Sequence, residues 1–239
     1  MNNKLTATLL IAAAVLTNAA FTVLGMVFNY PDVLGEPVDD ILAAFRANQA
    51  AVVGWFTVMA LSAALFAPIA IGVGRLSTHR AMRIAVPVGI AAAVVQVIGL
   101  ARWPLLVPGF AADATSRDPA VAAGARDLFL LAHRLLGTIV GETLGYLLTA
   151  AWTLLVLIAL RRTLAPRWFT ALGAGSAVLI LAGVLTPLQL PVVDSANFIG
   201  YVLWSVWLVI FAILILRHSG SRAAAAEPVP PGARRMATS

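Results

Sequence analysis

Six apolar runs, each bounded by charges, proline or glycine clusters, constrain this chain more than any other feature: Leu5–Phe28, Ala51–Gly74, Ile84–Ala101, Leu128–Leu160, Trp168–Leu188 and Phe198–Leu216. A helix needs about 20 apolar residues to cross a hydrocarbon layer about 30 Å thick, and lipid offers no partner to unpaired backbone groups. Six such runs predict an all-α, polytopic bundle of six transmembrane helices within residues 1–218. Composition agrees, because the chain is 61% hydrophobic and only 11% charged, against roughly a quarter charged in soluble domains.

The ends of the chain read differently. Lys4 precedes an apolar run of 24 residues, longer than the roughly 7 to 15 of a cleaved signal, which predicts a retained first helix. From Ser219 onward, Ala223–Ala226, Pro228, Pro230, Pro231 and Gly232 leave little bulky apolar content, so residues 219–239 are expected to form a disordered tail.

The net charge of +6 needs an explanation, and its location supplies one. Lys4, Arg75, Arg80, Arg83, Arg161, Arg162, Arg167, Arg217, Arg222, Arg234 and Arg235 fall on one side of a six-span topology, eleven of the sixteen basic residues. Eight of the ten acidic residues, among them Asp32, Asp39, Asp40 and Asp118, fall on the other. Cytoplasmic loops carry the Lys and Arg excess, so both termini are expected inside a bacterial plasma membrane. Topology thereby accounts for the basic balance, and no nucleic-acid partner is expected.

Two external connections are substantial. Asn29–Gln49 contains a Tyr30-Pro31-Asp32 turn, then Val38, Ile41, Leu42 and Phe45 at the spacing of a short amphipathic helix, predicted to lie on the outer surface. Arg102–Asp127 opens with Trp103-Pro104 and Pro108-Gly109, read as turns beside an interfacial aromatic, in a polar loop over the mouth of the bundle.

The fourth span draws the functional reading. Its 33 residues would extend about 50 Å, so it must tilt, break or project. Glu142 lies 19 residues from Arg161, about 28 Å along a helix and thus at the outer edge of the core. Similar counts put Asn18 and Gln96 in the outer half. The candidate ligand-binding set is therefore Glu142, His133, Arg134, Arg102, Gln96, Asn18 and Tyr146, with Glu142 ionised and paired to Arg102 or Arg134. Three readings stay open for it: an ion pair plus helix-to-helix amide bonds, an outward-opening recess for a small molecule or lipid headgroup, and proton chemistry through His133 and Glu142.

Small residues mark packing. Gly137, Gly141 and Gly145, continued by Thr149 and Thr153, form an i+4 ridge for close helix approach, within the chain or in a homodimer. Ala171, Gly175 and Gly183 form a smaller ridge on the fifth helix, and Pro68 and Pro87 are expected to kink theirs.

Several chemistries are disfavoured. With no cysteine, thiol catalysis, disulfides and iron–sulfur clusters are absent. Only His133 lies near the membrane, which does not suit a haem held by two histidines, and no H-E-x-x-H, Gly-x-Ser-x-Gly or phosphate-cradling glycine motif occurs. No cofactor, metal or catalytic residue is expected.

The stretch Leu131-Ala132-His133-Arg134-Leu135-Leu136-Gly137, then Gly141-Glu142, the Trp152 region, Arg161-Arg162, Pro166-Arg167-Trp168 and Leu172-Gly173 resembles a family of six-helix bacterial integral-membrane proteins catalogued as a domain of unknown function. The resemblance covers roughly residues 128–188. It implies the same six-helix bundle and no particular activity. The reading favoured overall is a non-enzymatic membrane module that binds a small hydrophobic or lipid-like ligand, or a partner membrane protein, through its outer half. A small secondary transporter or permease-like subunit is the alternative, and a membrane-embedded enzyme the third.

Overall fold

The structure, a computed structural model, describes residues 2–188 and 191–225. Among these residues the chain is helical without strands. Its elements are α1 (Asn3–Phe28), α2 (Val38–Ala47), α3 (Gln49–Ala64), α4 (Phe66–Gly74), α5 (Arg80–Leu105), α6 (Val107–Asp113), α7 (Pro119–Ala132), a π-helical stretch (His133–Leu144), α8 (Gly145–Leu160), α9 (Arg167–Ala182) and α10 (Pro191–Ala225). Short 3-10 turns lie at Asp32–Gly35 and Gly183–Leu188. Six helical units are long and apolar enough to cross a membrane: Asn3–Phe28, Gln49–Gly74, Arg80–Asp113, Pro119–Leu160, Arg167–Thr186 and Ser195–His218. This is the architecture of a multi-pass membrane protein. Of the tail expected to be disordered, α10 occupies the stretch to Ala225, and 226–239 lies outside the described residues.

Short connections make consecutive spans neighbours. The spans close a ring in chain order: α1 packs on α3, α3 on α5, α5 on α8, α8 on α9, α9 on α10 and α10 back on α1. Asn3, Arg75, Leu76, Thr163, Leu164 and His218 line one recess, which places both ends of the six-span unit and two connections on one face, the terminal face. On the distal face the other connections are tied together. Arg126 Nε pairs with Asp39 Oδ1 at 2.5 Å, and Arg46 donates to the Ala111 carbonyl at 3.0 Å.

Two local outcomes depart from the sequence reading. Trp103-Pro104 does not open a loop, because α5 runs through both Pro87 and Pro104 and the connection continues as α6 and α7. Pro sits in the first turn of each, where its missing N–H costs nothing, and Asp118 caps α7 by accepting from the Ala120 N–H at 2.9 Å. Trp103 is fully buried. On α9, Ala171 and Gly175 are exposed and nothing lies within 4 Å of a Cβ added at Gly175, so the buried face is Gly173, Ser176, Ala177 and Ile180. The second span, by contrast, is interrupted at Leu65, where Pro68 lacks the N–H that the Ala64 carbonyl would otherwise accept.

The ring is filled by two apolar cores at different depths. The one toward the terminal face gathers Leu10, Phe66, Ile69, Trp152, Phe169, Trp207 and Phe211. The distal one gathers Leu24, Phe28, Phe45, Phe56, Trp103 and Phe129, with Ile41 and Leu42 of α2 closing its top. Aromatic contacts supply the packing that hydrophobicity cannot supply between helices in lipid. Phe56 stacks on Trp103 with centroids 4.8 Å apart, and Phe66 meets Trp152 edge-on at 4.8 Å. Glycines make room for the indoles: a Cβ at Gly89 would come within 2.7 Å of Trp152, and one at Gly173 within 2.5 Å of Trp207.

Candidate functional site

Between the two cores lies a polar layer built from single polar residues on different spans. On α1 the apolar core residues Leu10 and Ala14 give way to Thr17 and Asn18 before Leu24 and Phe28 resume. On the second span Ser62 occupies the same interval, and on α5 it is Gln96 and Arg102. The fourth span contributes His133, Glu142, Tyr146 and Thr149, and α10 contributes Asn197, Tyr201 and Ser205.

Most of this layer is joined by hydrogen bonds, as buried polar groups require. Thr17 and Ser62 hydroxyls are 2.6 Å apart, and Asn18 Nδ2 donates to Ser205 Oγ at 2.8 Å. Gln96 Nε2 donates to Thr149 Oγ1 at 2.9 Å, and the Tyr201 phenol lies near the same threonine. Trp204 Nε1 donates to Thr153 Oγ1 at 2.9 Å. Asn197 Nδ2 reaches the Ile180 carbonyl at 2.8 Å. The Tyr146 and Tyr201 rings lie 5.8 Å apart.

The charged end of the layer sits under the distal core. Arg102 is only 6% exposed. Its guanidinium donates to the Gly99 carbonyl, and Nη2 lies 3.5 Å from His133 Nδ1. Gly137 admits it, since a Cβ added there would stand 2.7 Å from Nη2. Glu142 and Tyr30 both interact electrostatically with Arg102, and the imidazole stacks on Phe129 at 6.0 Å.

Tyr30 arrives from the first connection. Asn29, at φ 51°, ends α1 in the left-handed conformation that asparagine tolerates, and the chain folds back so that Tyr30 meets Phe21 and Phe56 edge-on at 5.6 Å and 5.2 Å. Burial, reinforced by the Glu142 carboxylate and opposed by Arg102, pushes its phenol up to about 12. The hydroxyl therefore keeps its proton at physiological pH and is available as a donor.

The charged residues coincide with the π-helical stretch. Its wider hydrogen-bond step is echoed by Thr143, whose hydroxyl donates to the carbonyl of Thr138 five residues back at 2.9 Å. Pi-helical geometry is rare and concentrates at functional sites. Here it lies where the backbones of α5 and the fourth span come close together: a Cβ at Gly99 would stand 2.5 Å from Gly141 Cα. A Cβ at Gly145 would meet Gln96 at 3.2 Å. The span then runs on as α7 beyond the ring, so its excess length projects into the distal cap.

Arg102 and His133 are brought together, with Glu142 within electrostatic reach of Arg102, and Gln96 and Tyr146 join the same layer through Thr149 and Tyr201. Asn18 instead ties α1 to α10. Arg134 is exposed, leaving Arg102 as the buried guanidinium of the set. Sequence reading did not single out Tyr30, Thr149, Asn197 or Tyr201 as site residues. The available signal was a polar singleton in an apolar run, or an aromatic in a Pro turn, and neither indicates depth. The second and sixth spans, largely apolar in sequence, contribute Ser62, Asn197, Tyr201 and Ser205 to the layer.

A guanidinium, an imidazole, a carboxylate and a phenol in a low-dielectric setting can hold an anionic or amphiphilic head or relay a proton. Among the described residues no group of three or more His, Asp or Glu is placed to hold a metal ion. The chain matches no curated protein and no solved structure. A family model described as a domain of unknown function (DUF4386) matches residues 5–212, which extends the resemblance from the region around the fourth span to nearly the whole bundle. An all-helical, six-span chain matched over that length belongs to the DUF4386 family.

Proposed function

We propose that this protein is a non-enzymatic module of the bacterial plasma membrane, with both termini cytoplasmic, that holds a lipid-like ligand at the polar layer of its outer half. The observation that carries the reading is Arg102. A guanidinium at membrane depth is costly and is retained for a purpose by default, and this one sits beside His133, within electrostatic reach of Glu142 and Tyr30, beneath a separately packed cap.

The test is thermal stabilisation of the purified protein in neutral detergent by single-chain fatty acids, isoprenoid alcohols and lysophospholipids. At least one class is expected to raise Tm by roughly 5 °C, as saturating binding does. Glu142→Gln is expected to stay folded and lose that shift. If no class shifts the native protein, or the shift survives in Glu142→Gln, the ligand reading fails.

A small secondary transporter is the second reading, favoured by a polar layer enclosed between aromatic cores on both sides, the arrangement of an occluded site. It predicts that a stabilising compound is also moved across proteoliposomes.

The orientation rests on the charge partition. Because the native chain has no cysteine, single substitutions report it directly. Thr163→Cys is expected to label only from the cytoplasmic side and Thr115→Cys only from outside. The reverse pattern overturns the assignment.

A further inference from the structure

The terminal face carries a feature that the polar layer does not explain. Asn3, Arg75, Leu76, Thr163, Leu164 and His218 enclose a recess of about 300 Å³. A shallower hollow of about 340 Å³, lined by Arg161, Arg162, Thr163, Leu164, Ala165 and Pro166, shares the Thr163–Leu164 wall. We propose that this recess is a binding site for a phosphate group, with the headgroup of an anionic phospholipid as its source.

Three kinds of observation support it. The first is charge. The two connections on this face, 75–83 and 161–167, hold Arg75, Arg80, Arg83, Arg161, Arg162 and Arg167 and no carboxylate, so the recess lies in a single-sign field that concentrates anions. Of these, Arg75 lines the recess and Arg161 and Arg162 line the adjoining hollow.

The second is donor chemistry. Arg75 brings to the wall a guanidinium, whose planar fork suits phosphate oxygens, and Asn3, His218 and Thr163, the last with a hydroxyl that would turn from the Leu160 carbonyl 3.3 Å away, bring polar groups from three other segments. Asn3 is the first residue of α1, so the positive end of a 26-residue helix dipole stands at the wall.

The third is shape. The 160–167 connection is wound tightly, with the N–H groups of Thr163, Leu164 and Ala165 all directed to the Leu160 carbonyl at 3.0 to 3.1 Å. This coil holds Thr163 and Leu164 toward Leu76, giving the recess an apolar side beside its cationic one. A phosphate with acyl chains attached suits that pairing, since basic recesses between helices at the cytoplasmic level take anionic headgroups.

The test compares the full-length protein in nanodiscs of phosphatidylcholine alone and with 20 mol% phosphatidylglycerol or cardiolipin, and separately in neutral detergent with inorganic phosphate or glycerol 3-phosphate. The anionic lipid is expected to raise Tm by roughly 5 °C. Arg75→Gln and Thr163→Val are each expected to remove most of that shift, while Arg83→Gln, on the same face but outside the recess, keeps it. Thr163→Val alters an exposed side chain, so it remains informative if Arg75→Gln does not fold. Stabilisation by the soluble phosphates in detergent, lost in the same variants, would support the phosphate site with a soluble source. No shift with any phosphate compound, or equal loss in Arg83→Gln, would overturn the proposal by reducing the effect to general surface charge. Neither result bears on Glu142→Gln or on the distal ligand.

Discussion

Gly141→Leu is expected to leave little folded protein. A Cβ at Gly141 would stand 2.9 Å from Gly99 Cα and 3.1 Å from the Leu136 carbonyl oxygen. Both obstacles are backbone, so no rotamer change can yield. Overpacking costs about 1–3 kcal/mol where side chains can shift, and a leucine driven against backbone should cost at least about 3 kcal/mol, a large share of a stability of about 5–15 kcal/mol. On that scale Tm falls by roughly 10 °C or more, or the monodisperse peak in size-exclusion chromatography disappears. Gly99→Leu should behave alike, because the same contact is approached from the other helix. Gly54→Leu is the control: it adds the same side chain where nothing lies within 4 Å and should melt as the native protein does. A native melting curve for Gly141→Leu would show that the α5 contact with the π-helical stretch is absent in solution.

Replacing Arg102 should have the second largest effect, for electrostatic reasons. Arg102→Met removes the guanidinium that interacts with Glu142, His133 and Tyr30 and opens a void over Gly137. Removing one side of a fully buried charge pair costs about 3–5 kcal/mol, and because Arg102 is buried while Glu142 is only half-buried the lower end of that range is expected. The double variant Arg102→Met, Glu142→Gln should therefore recover part of the loss, with a coupling of about 1–3 kcal/mol between the sites. Arg102→Lys should recover less than its charge implies. An ammonium lacks the fork that reaches the Gly99 carbonyl and His133 from one plane. Additive losses in the double variant would mean that Arg102 and Glu142 do not share a site.

The amphipathic helix on the first connection illustrates what was legible beforehand. Val38, Ile41, Leu42 and Phe45 recur at helical spacing, and Ile41, Leu42 and Phe45 are buried, because periodicity is a property of ten consecutive residues. Trp103 illustrates the opposite case. A Trp-Pro pair after an apolar run reads locally as an interfacial turn, yet Phe28, Phe45, Phe56 and Phe129, from four separate segments, enclose its ring. No window along the chain contains those partners. Glu142 falls between the two. Counting 1.5 Å per residue back from Arg161 gave its place along the span, but that Arg102 is buried and Arg134 exposed needed the ring to close.

By itself the sequence determined six membrane-crossing helices, the segregation of basic and acidic connections and the helical character of α2, because hydropathy, charge and period act over stretches no longer than a single helix. Only the tertiary structure decided that Thr17, Ser62, Gln96, Arg102, Glu142, Thr149, Tyr201 and Ser205 gather between two aromatic cores. It also decided that Gly137 holds a guanidinium and that Tyr30 folds back beneath the cap. Each helix carries only one or a few of these groups, and a lone polar residue in an apolar run is the same signal whether it faces lipid, a neighbouring backbone or a site. The difference arises from the rotation and depth of each helix against its neighbours, which glycine contacts such as Gly99 against Gly141 set, and which no single span encodes.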